Sequence, residues 1–325
     1  MQLTDINLLS GLQKWLAEGE EFWLCTVLAT YGSAPRPQGS LFAWNGKTRL
    51  GSISGGCLED AFIEKLNRNE ISDLPAVFRY GKELIADDIQ VELPCGGTIQ
   101  LLVEKISDKS EHFTKMFELA EQHQSFVRYV DLQSGERSYL PQDHSISTAI
   151  KLDDRGVTIR YDQVWSILIL GISQVSEWVA KMALMAGYSV EICDMRESLA
   201  ASWTFDKQAG GVDVTWISPD LFIDKFAHRQ SAIVALAHDP RIDDLGLMAA
   251  VEGDAYYIGA MGSLKTSEKR FERLERIGDF TPQQLDRLHA PIGLPIGSKT
   301  PFEIAIAILA DIISKRNQIE LVKAN

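Results

Sequence analysis

The pattern of hydrophobic and polar positions changes character near residue 165. In the part before it, the helical spacing of "NLLSGLQKWLAEG" predicts a helix that ends at Gly19. The uninterrupted apolar run "FWLCTVLATYG" then predicts a buried strand, and the Asn45-Gly46 pair predicts a hairpin between two short strands. This part of the chain is therefore expected to mix helices with hairpin strands.

Helical spacing returns after Cys57, in "LEDAFIEKLNR". The segment "DIQVELPCGGTIQLLVEK" is typical of a strand, a tight turn and a second strand. A helix over about residues 108 to 122 comes next. It is followed by two hairpin-like pairs, "FVRYVDLQSGERSYL" and "AIKLDDRGVTIRYD".

From Trp165 onward, strand patterns alternate with helical ones. The helix "SQVSEWVAKMALMAG" is closed by Gly187, and a later helix begins at Thr300 with Pro301 at its first position and Glu303 completing a capping box. The strands are "WSILILG", "YSVEICD", "SAIVALAHD" and "YYIGAMG". Such alternation predicts a Rossmann-like, doubly wound parallel sheet, in which ligands usually bind beyond the C-terminal ends of the strands.

The fold class expected for the whole chain is therefore α/β, with two domains. Residues 1–150 form an N-terminal α/β domain of α+β character, and a hairpin-rich linker region continues to about residue 164. Residues 165–325 form the Rossmann-like domain.

Composition narrows the choice of function. A chain of 325 residues, 45% hydrophobic and 24% charged, is long enough for about two domains with real cores. The net charge of −13 argues against a nucleic-acid partner, and the apolar runs are too short for a membrane span. Four scattered cysteines, with no basic and apolar leader before "MQLTDINLLS", lead us to expect a cytoplasmic protein without a disulfide framework.

Two cysteines are flanked by paired glycines, in "GSISGGCLED" and "PCGG". Cys57 falls just ahead of, or within, the first turn of a predicted helix, where unpaired amides and the helix dipole lower the pKa of a thiol. Gly55 and Gly56, after Ser54, permit the close approach and unusual backbone angles that a side chain would block. The second such loop consists of Cys95, Gly96 and Gly97.

Arg36, in the turn cluster "GSAPRPQGS", adds a cation whose planar fork suits a phosphate. With the glycine loops and Cys57, it predicts a site for an anionic, sulfur-reactive or metal-bearing ligand. In a plainer interpretation, Cys57 packs as a small apolar side chain and the glycines only turn the chain. Glu59 and Asp60 suit a first helical turn but oppose thiolate formation nearby.

A structural zinc site is not expected. Cys57 and Cys95 lie far apart in the sequence, and no histidine precedes His112, so no compact four-ligand set exists there.

The turn in "ILILGISQVSEW" stands where a dinucleotide-binding fold carries G-x-G-x-x-G. Gly171 holds the first glycine position, but Ser173 and Ser176 replace the second and third. Asp194 ends the next strand at about the distance expected of a ribose-binding acid. Gly171 is also typical of a tight strand-to-helix turn, and Asp194 of a local cap or ion pair, so NAD(P) is not expected as a cofactor.

Two further loops carry candidate ligand contacts. His238 and Asp239 follow the strand "SAIVALA", where a histidine suits acid/base chemistry or phosphate binding, although a turn histidine beside Asp-Pro has an equally good structural explanation. Gly259 and Gly262 are expected to open a loop that brings Ser263 to a helix N-terminus, an arrangement suited to anions. The alternative there is a solvated basic helix face with Lys265 and Lys269.

Six segments, taken in order, resemble the motifs of the XdhC/CoxI family, the xanthine dehydrogenase accessory factors. They are "GSAPRPQGS", "GSISGGCLED", "PCGG", "AHDPRIDD", "YYIGAMGSLKTSEKR" and "HAPIGLPIGSKTPFEIAIAILADI". The resemblance covers nearly the whole chain, with the middle region least informative. Six ordered motifs are far more specific than any one of them.

The resemblance implies a chaperone that carries the molybdenum cofactor (molybdopterin) transiently, rather than a catalyst. Such a protein works with a cysteine desulfurase when the terminal sulfido ligand is added. It then delivers the product to an apo-molybdenum hydroxylase of the xanthine dehydrogenase or aldehyde oxidase type. The family also implies a homodimer.

Residue by residue, the resemblance makes Cys57 and its glycines the first expected cofactor contacts, with Cys95, Gly96 and Gly97 second. The phosphate of molybdopterin suits Arg36, and a soft thiolate such as Cys57 or Cys95 suits molybdenum.

One motif departs from the family pattern. A G-A-G-H-like turn is usual after the first Rossmann strand, and this chain has Ser173 and Gln174 in place of the second glycine and the histidine. Two other functions stay open: an NAD(P)-dependent oxidoreductase built on the C-terminal sheet, and a thiol enzyme or sulfur carrier with Cys57 as persulfide acceptor.

Overall fold

A computed structural model describes residues 3–31, 36–54, 56–68, 70–80, 98–107, 111–122, 124–140 and 149–318. Four predicted site residues, Gly55, Cys95, Gly96 and Gly97, lie outside the described residues, as does the predicted strand "DIQVE". The chain divides into two compact units, Met1–Gln163 and Val164–Asn325.

The first unit is built on two antiparallel sheets. Within the described ranges, strand order is β3-β2-β1-β5-β4 in one sheet and β7-β6-β9-β8 in the other. Its helices are α1 (Leu3–Ala17), α2 (Cys57–Asn67) and α3 (Glu111–Glu121). Its strands are β1 (Phe22–Tyr31), β2 (Leu41–Trp44), β3 (Arg49–Gly51), β4 (Ala76–Tyr80), β5 (Thr98–Ile106), β6 (Phe126–Asp131), β7 (Arg137–Leu140), β8 (Ile150–Leu152) and β9 (Gly156–Tyr161). The predicted hairpins β2-β3, β6-β7 and β8-β9 are confirmed as antiparallel pairs.

The five-stranded sheet buries apolar side chains on both faces, because successive residues of β1 point to opposite sides. Leu24 and Leu28 pack with α1, α3 and the second sheet, whereas Cys25 and Val27 pack under α2. This face of the sheet is therefore covered by α2, through Leu58 and Phe62.

A buried ion pair joins the two sheets of this unit. Glu104 on β5 and Arg128 on β6 are both fully buried, and the guanidinium donates to both carboxylate oxygens at 2.9 and 2.6 Å. Arg137 on β7 donates a third bond to Glu104 at 2.9 Å. The pKa of Glu104 is lowered because these hydrogen bonds and charges outweigh its burial.

The second unit is a six-stranded parallel sheet of order β12-β11-β10-β13-β14-β15. Its strands are β10 (Ser166–Leu170), β11 (Ser189–Cys193), β12 (Val214–Thr215), β13 (Ser231–Ala235), β14 (Tyr257–Ala260) and β15 (Leu288–His289). Its helices are α4 (Gln174–Met185), α5 (Pro219–Phe226), α6 (Pro240–Glu252), α7 (Leu264–Gly278), α8 (Pro282–Leu285) and α9 (Pro301–Arg316), with 3₁₀ turns at Glu197–Ser202 and Lys207–Ala209. The doubly wound parallel sheet predicted for this half is confirmed.

Helices cover both faces of the parallel sheet. One apolar cluster packs against α4 and α9, and the other against α5, α6 and α7. The predicted capping box of α9 is confirmed, since Thr300 Oγ1 accepts from the Glu303 amide at 3.3 Å and Glu303 Oε2 accepts from the Thr300 amide at 3.0 Å. Across the described ranges, none of the helices has the length and apolar character that crossing a membrane requires.

Candidate functional site

The turn that leads into α2 is organised by one carboxylate, that of Glu59. Its Oε1 accepts from the amides of Ile53 and Ser54, at 2.8 and 3.0 Å, and from the Ser52 hydroxyl at 2.7 Å. Its Oε2 accepts from the Gly56 amide at 3.0 Å and from the Ser54 hydroxyl. We call Ser52, Ile53, Ser54 and Gly56, together with the Glu59 side chain that they bind, the carboxylate-held turn.

The local sequence explains why the chain turns here. Gly56, the N-cap of α2, has φ of 140°, a conformation that other residues rarely adopt. Ser54 Oγ accepts from the Leu58 amide at 3.1 Å, which satisfies one of the free donors at the start of the helix. The Gly56-to-Glu59 bond is the N3 half of a capping box.

The carboxylate-held turn carries a buried negative charge. Glu59 is 2% exposed, and burial alone would raise its pKa. The hydrogen bonds from Ser54, Ser52 and the backbone outweigh burial and lower the pKa of Glu59 to about 2. At neutral pH the start of α2 therefore holds a carboxylate bound by amides and hydroxyls.

Cys57 is the first residue of α2, and it was predicted to lie just ahead of, or within, the first turn of this helix. The structure brings Ser54 and Gly56 to the same turn. Arg36 lies in the turn before β2, is exposed, and makes no contact with the carboxylate-held turn among the described hydrogen bonds and ion pairs.

The two remaining cysteines are buried core residues. Cys25 on β1 and Cys193 on β11 are both fully buried and free of disulfides. Burial raises the pKa of both thiols, so neither forms a thiolate readily at neutral pH.

A second group of predicted residues lies at the carboxyl edge of the parallel sheet. Leu170 at the end of β10 pairs with Cys193 on one side and Ala235 on the other, so the turns after β10, β11 and β13 are neighbours. Gly171 has φ of 89°, and a Cβ at that position would lie 2.2 Å from the Ala237 Cβ. A glycine is therefore required here for close packing as well as for the turn.

Serine side chains close the start of α4. Ser173, its N-cap, accepts from the Ser176 amide at 3.1 Å, and the two hydroxyl oxygens lie 2.8 Å apart. Ser176 Oγ donates to the Gly171 carbonyl at 2.7 Å.

Asp194 is buried, and both of its oxygens are bound by the protein. Oδ2 accepts from the Ile172 amide at 2.8 Å and from Arg196 Nη2 at 2.7 Å. Oδ1 accepts from the Arg196 amide at 2.8 Å and from Arg196 Nε at 2.9 Å. The pKa of Asp194 is lowered because these bonds outweigh its burial.

The residues at the start of α4 depart from the dinucleotide-binding fingerprint. The fingerprint needs a glycine where Ser173 stands, so that the backbone can approach a pyrophosphate, and an acid that is available to a ribose hydroxyl. Ser173 instead caps α4, and Asp194 is held by Arg196 and Ile172. The expectation that NAD(P) is not a cofactor stays a prediction.

His238 and Asp239 lie where predicted, after β13. His238 is exposed, has φ of 56°, and its pKa is lowered by desolvation and by the charge of Arg270. Asp239 is the N-cap of α6 and pairs with Arg241 at 2.7 Å. The Asp239 carboxylate is therefore engaged in capping its own helix.

A buried ion pair that was not predicted from the sequence lies at this edge of the sheet. Asp243 on α6 and Arg270 on α7 are buried, with Arg270 Nη2 donating to Asp243 Oδ2 at 3.2 Å. Asp243 Oδ1 accepts from the Ala237 amide at 3.1 Å, and Arg270 Nη1 donates to the Met261 carbonyl at 3.1 Å. The pair thus ties together the turns that follow β13 and β14. Burial raises the pKa of Asp243 to about 6, despite Arg270.

The predicted loop from Gly259 to Ser263 is partly wrong. Gly259 lies inside β14 and not in a loop. A glycine is needed there because a Cβ would lie 2.5 Å from Cδ1 of Ile292. Gly262 does lie in the turn, and Ser263 is the N-cap of α7, accepting from the Thr266 amide at 3.2 Å.

Across the described residues, no group of three or more His, Cys, Asp or Glu side chains is placed to hold a metal ion. The side chains of Cys57 and Cys95 are outside that description.

Two family models match this chain, one in each of its two units. The model of the XdhC and CoxI family matches residues 15–81, and that of the XdhC Rossmann domain matches residues 167–312. The chain belongs to the XdhC and CoxI family, which confirms the resemblance seen in the motifs.

Two relatives match nearly end to end. The molybdenum cofactor insertion chaperone PaoD of Escherichia coli (strain K12) is 26% identical over 302 residues, which cover 93% of this chain and 85% of PaoD. A probable xanthine dehydrogenase subunit of Bacillus subtilis (strain 168) is 23% identical over 342 residues, with 97% and 99% of the two chains covered.

A solved structure shares the fold. The crystal structure of a xanthine dehydrogenase from Bacillus halodurans matches with a TM-score of 0.74, over 100% of this chain and 98% of that chain. At 22% sequence identity, this likeness concerns the fold alone.

Proposed function

We propose that this protein is an accessory factor that holds the molybdenum cofactor as cargo and inserts it into an apo-hydroxylase of the xanthine dehydrogenase or aldehyde oxidase type. The observation that carries the proposal is the similarity to a molybdenum cofactor insertion chaperone over 93% of the chain, which includes both units. Association with a cysteine desulfurase for sulfuration, a homodimeric state and a cytoplasmic location belong to the same proposal.

The start of α2 supports this proposal chemically. Cys57 opens the helix after a turn that is already held in place by Glu59, so a cargo meets an ordered backbone. A helix start lowers the pKa of a thiol, and a thiolate is a soft ligand suited to molybdenum.

An anaerobic titration with molybdopterin cofactor tests the proposal, with bound pterin detected by fluorescence after oxidation. Wild type is compared with Cys57→Ala, and Cys25→Ala serves as the matched control because Cys25 is buried in the core. We expect tight binding to wild type and to the control, and at least about tenfold weaker binding to Cys57→Ala, equal to about 1.4 kcal/mol.

Absence of binding to wild type would overturn the carrier function. Equal affinity of wild type and Cys57→Ala would remove Cys57 from the site. Mass spectrometry of Cys57 after incubation with a cysteine desulfurase and cysteine separates the persulfide route, since an unmodified thiol excludes it.

A further inference from the structure

The Glu59 side chain accepts hydrogen bonds from the backbone amides of the carboxylate-held turn, which would otherwise be available to an anion. We infer that Glu59 is a positioning residue for the cargo site, and that the turn it holds does not bind the phosphate of the cargo. This inference rests on the proposed function for its cargo, but not for the state of the turn itself.

The geometry identifies the turn as an occupied anion cradle. Successive backbone amides that point into one concavity bind phosphates and carboxylates in many proteins. Here the amides of Ile53, Ser54 and Gly56 all point to the two oxygens of Glu59, at 2.8 to 3.0 Å. A carboxylate of the same chain therefore fills the place that a phosphate oxygen would take.

Burial makes the occupancy stable. Glu59 is 2% exposed, and the hydroxyls of Ser52 and Ser54 add two more bonds to its oxygens. A phosphate could reach these amides only by displacing a carboxylate that accepts five described hydrogen bonds. Two anions cannot share the cradle, because like charges at contact distance repel strongly in a buried place.

The same bonds give the turn its shape before any cargo arrives. Gly56 is held at φ of 140° while its amide donates to Glu59, so the path of the chain into Cys57 is fixed by a residue two positions further on. Sites whose backbone is already in place bind with a smaller loss of conformational entropy. Glu59 therefore acts on the cargo through the turn and not by contact.

Asp60 offers a matched control. It lies in the same helical turn and carries the same charge, but its side chain is 75% exposed and it pairs with Arg49 at 3.2 Å. Asp60→Asn removes one charge beside Cys57 and leaves the carboxylate-held turn intact. Glu59→Gln removes one charge and replaces one acceptor oxygen by an amide donor.

The experiment follows hydrogen exchange of the amides of Ile53, Ser54 and Gly56 in the full chain, with the amides of β1 and β5 as reference. In Glu59→Gln we expect exchange at the three amides to be at least about tenfold faster while the reference amides are unchanged, and in Asp60→Asn no change. Millimolar inorganic phosphate added to wild type should leave the three amides unaffected. Cargo affinity, from the anaerobic titration, should fall at least about tenfold in Glu59→Gln only.

Each of the other possible results of these measurements contradicts one part of the inference about Glu59. Protection of the three wild-type amides by phosphate would show that the cradle accepts it. A uniform acceleration that includes β1 and β5, with unchanged cargo affinity, would make Glu59 a structural residue only. If Glu59→Gln does not fold, Ser54→Ala removes one hydroxyl bond to Glu59, and a wild-type exchange pattern in that variant would contradict the positioning role.

The two proposals fail separately. If wild type binds no molybdopterin, the carrier function is lost, while the exchange of the three amides and the phosphate titration still decide the role of Glu59.

Discussion

The free backbone amides at the starts of α2 and α4 find hydrogen-bond acceptors of different kinds. Both follow a glycine with positive φ, Gly56 in one case and Gly171 close before the other. At α2 the donors of the turn converge on the buried carboxylate of Glu59, whereas at α4 neutral hydroxyls close the helix and the nearby charge of Asp194 is matched by the Arg196 guanidinium. One turn is held by a buried negative charge, and the other by neutral hydroxyls beside a paired acid.

A glycine-rich turn before a helix favours anion binding only when its donors are free. The described donors at α2 and the acid beside α4 are both engaged within the protein. These groups are therefore not available to a ligand unless it displaces their partners in the protein.

The largest effect on stability is expected at the ion pair of Asp243 and Arg270, which connects the turns after β13 and β14. Arg270→Met leaves the buried Asp243 without its cation, which should lower the free energy of unfolding by about 3 to 5 kcal/mol at pH 8. Urea unfolding measures it, with Arg276→Met, an exposed residue of the same helix, as control.

The sign of the pH dependence sharpens this prediction. The pKa of Asp243 is raised to about 6, above its unfolded value of about 3.9, so its ionisation opposes folding. The loss of unfolding free energy in Arg270→Met is therefore largest above pH 6, where Asp243 is ionised, and becomes smaller as the pH falls toward 4. A penalty in Arg270→Met that is equal at pH 5 and pH 8 would contradict the burial of an ionised Asp243.

The next effect concerns the acidic turn at α2. The folded pKa of Glu59 is about 2, below its unfolded value of about 4.3, so its stabilisation is complete above about pH 5 and lost as the pH falls toward 2. Glu59→Gln should cost up to about 3 kcal/mol at pH 7 and remove this part of the acid-induced loss. Unfolding curves between pH 7 and pH 3 test it, and a variant that keeps the wild-type slope would refute it.

A smaller effect is expected at α4, where the cap is neutral. Ser173→Ala removes the acceptor for the Ser176 amide and should destabilise by about 1 kcal/mol, with little dependence on pH. Thermal unfolding of Ser173→Ala and Ser173→Gly gives the comparison, since glycine is a better N-cap than alanine. A loss as large as that of Glu59→Gln would mean that the two starts are not different in kind.

The smallest expected effect is the binding of a dinucleotide. Calorimetric titration with NAD⁺ and NADP⁺ should give no heat of binding to wild type or to Ser173→Gly, because Asp194 stays bound to Arg196 and Ile172 in both. Binding by Ser173→Gly alone would show that the serine, and not the engaged acid, closes this site.

Features formed by residues that are close together in the sequence could be predicted from it. The alternation of strands and helices after Trp165 and the capping box at Thr300 are local patterns, and both were predicted. The Gly56-to-Glu59 capping half is local as well, so the G-x-x-E spacing was a usable signal for the role of Glu59.

Other features depend on residues far apart in the chain. Asp243 and Arg270 are brought together only by the packing of α6 on α7, and no pattern in either segment indicates the pair. Gly259 suggested a loop because its need for close packing comes from Ile292 in a distant segment. The edge strands β12 and β15, of two residues each, are too short to give a period.

Burial of Cys25 and Cys193 keeps these two thiols out of reach of reagents in solution. An alkylating reagent needs an accessible thiolate, so the two core thiols should stay unlabelled while the fold is intact. The labels of Cys25 and Cys193 should therefore appear only when the protein unfolds. Labelling of Cys25 then reports the unfolding of the first unit, and labelling of Cys193 reports that of the second.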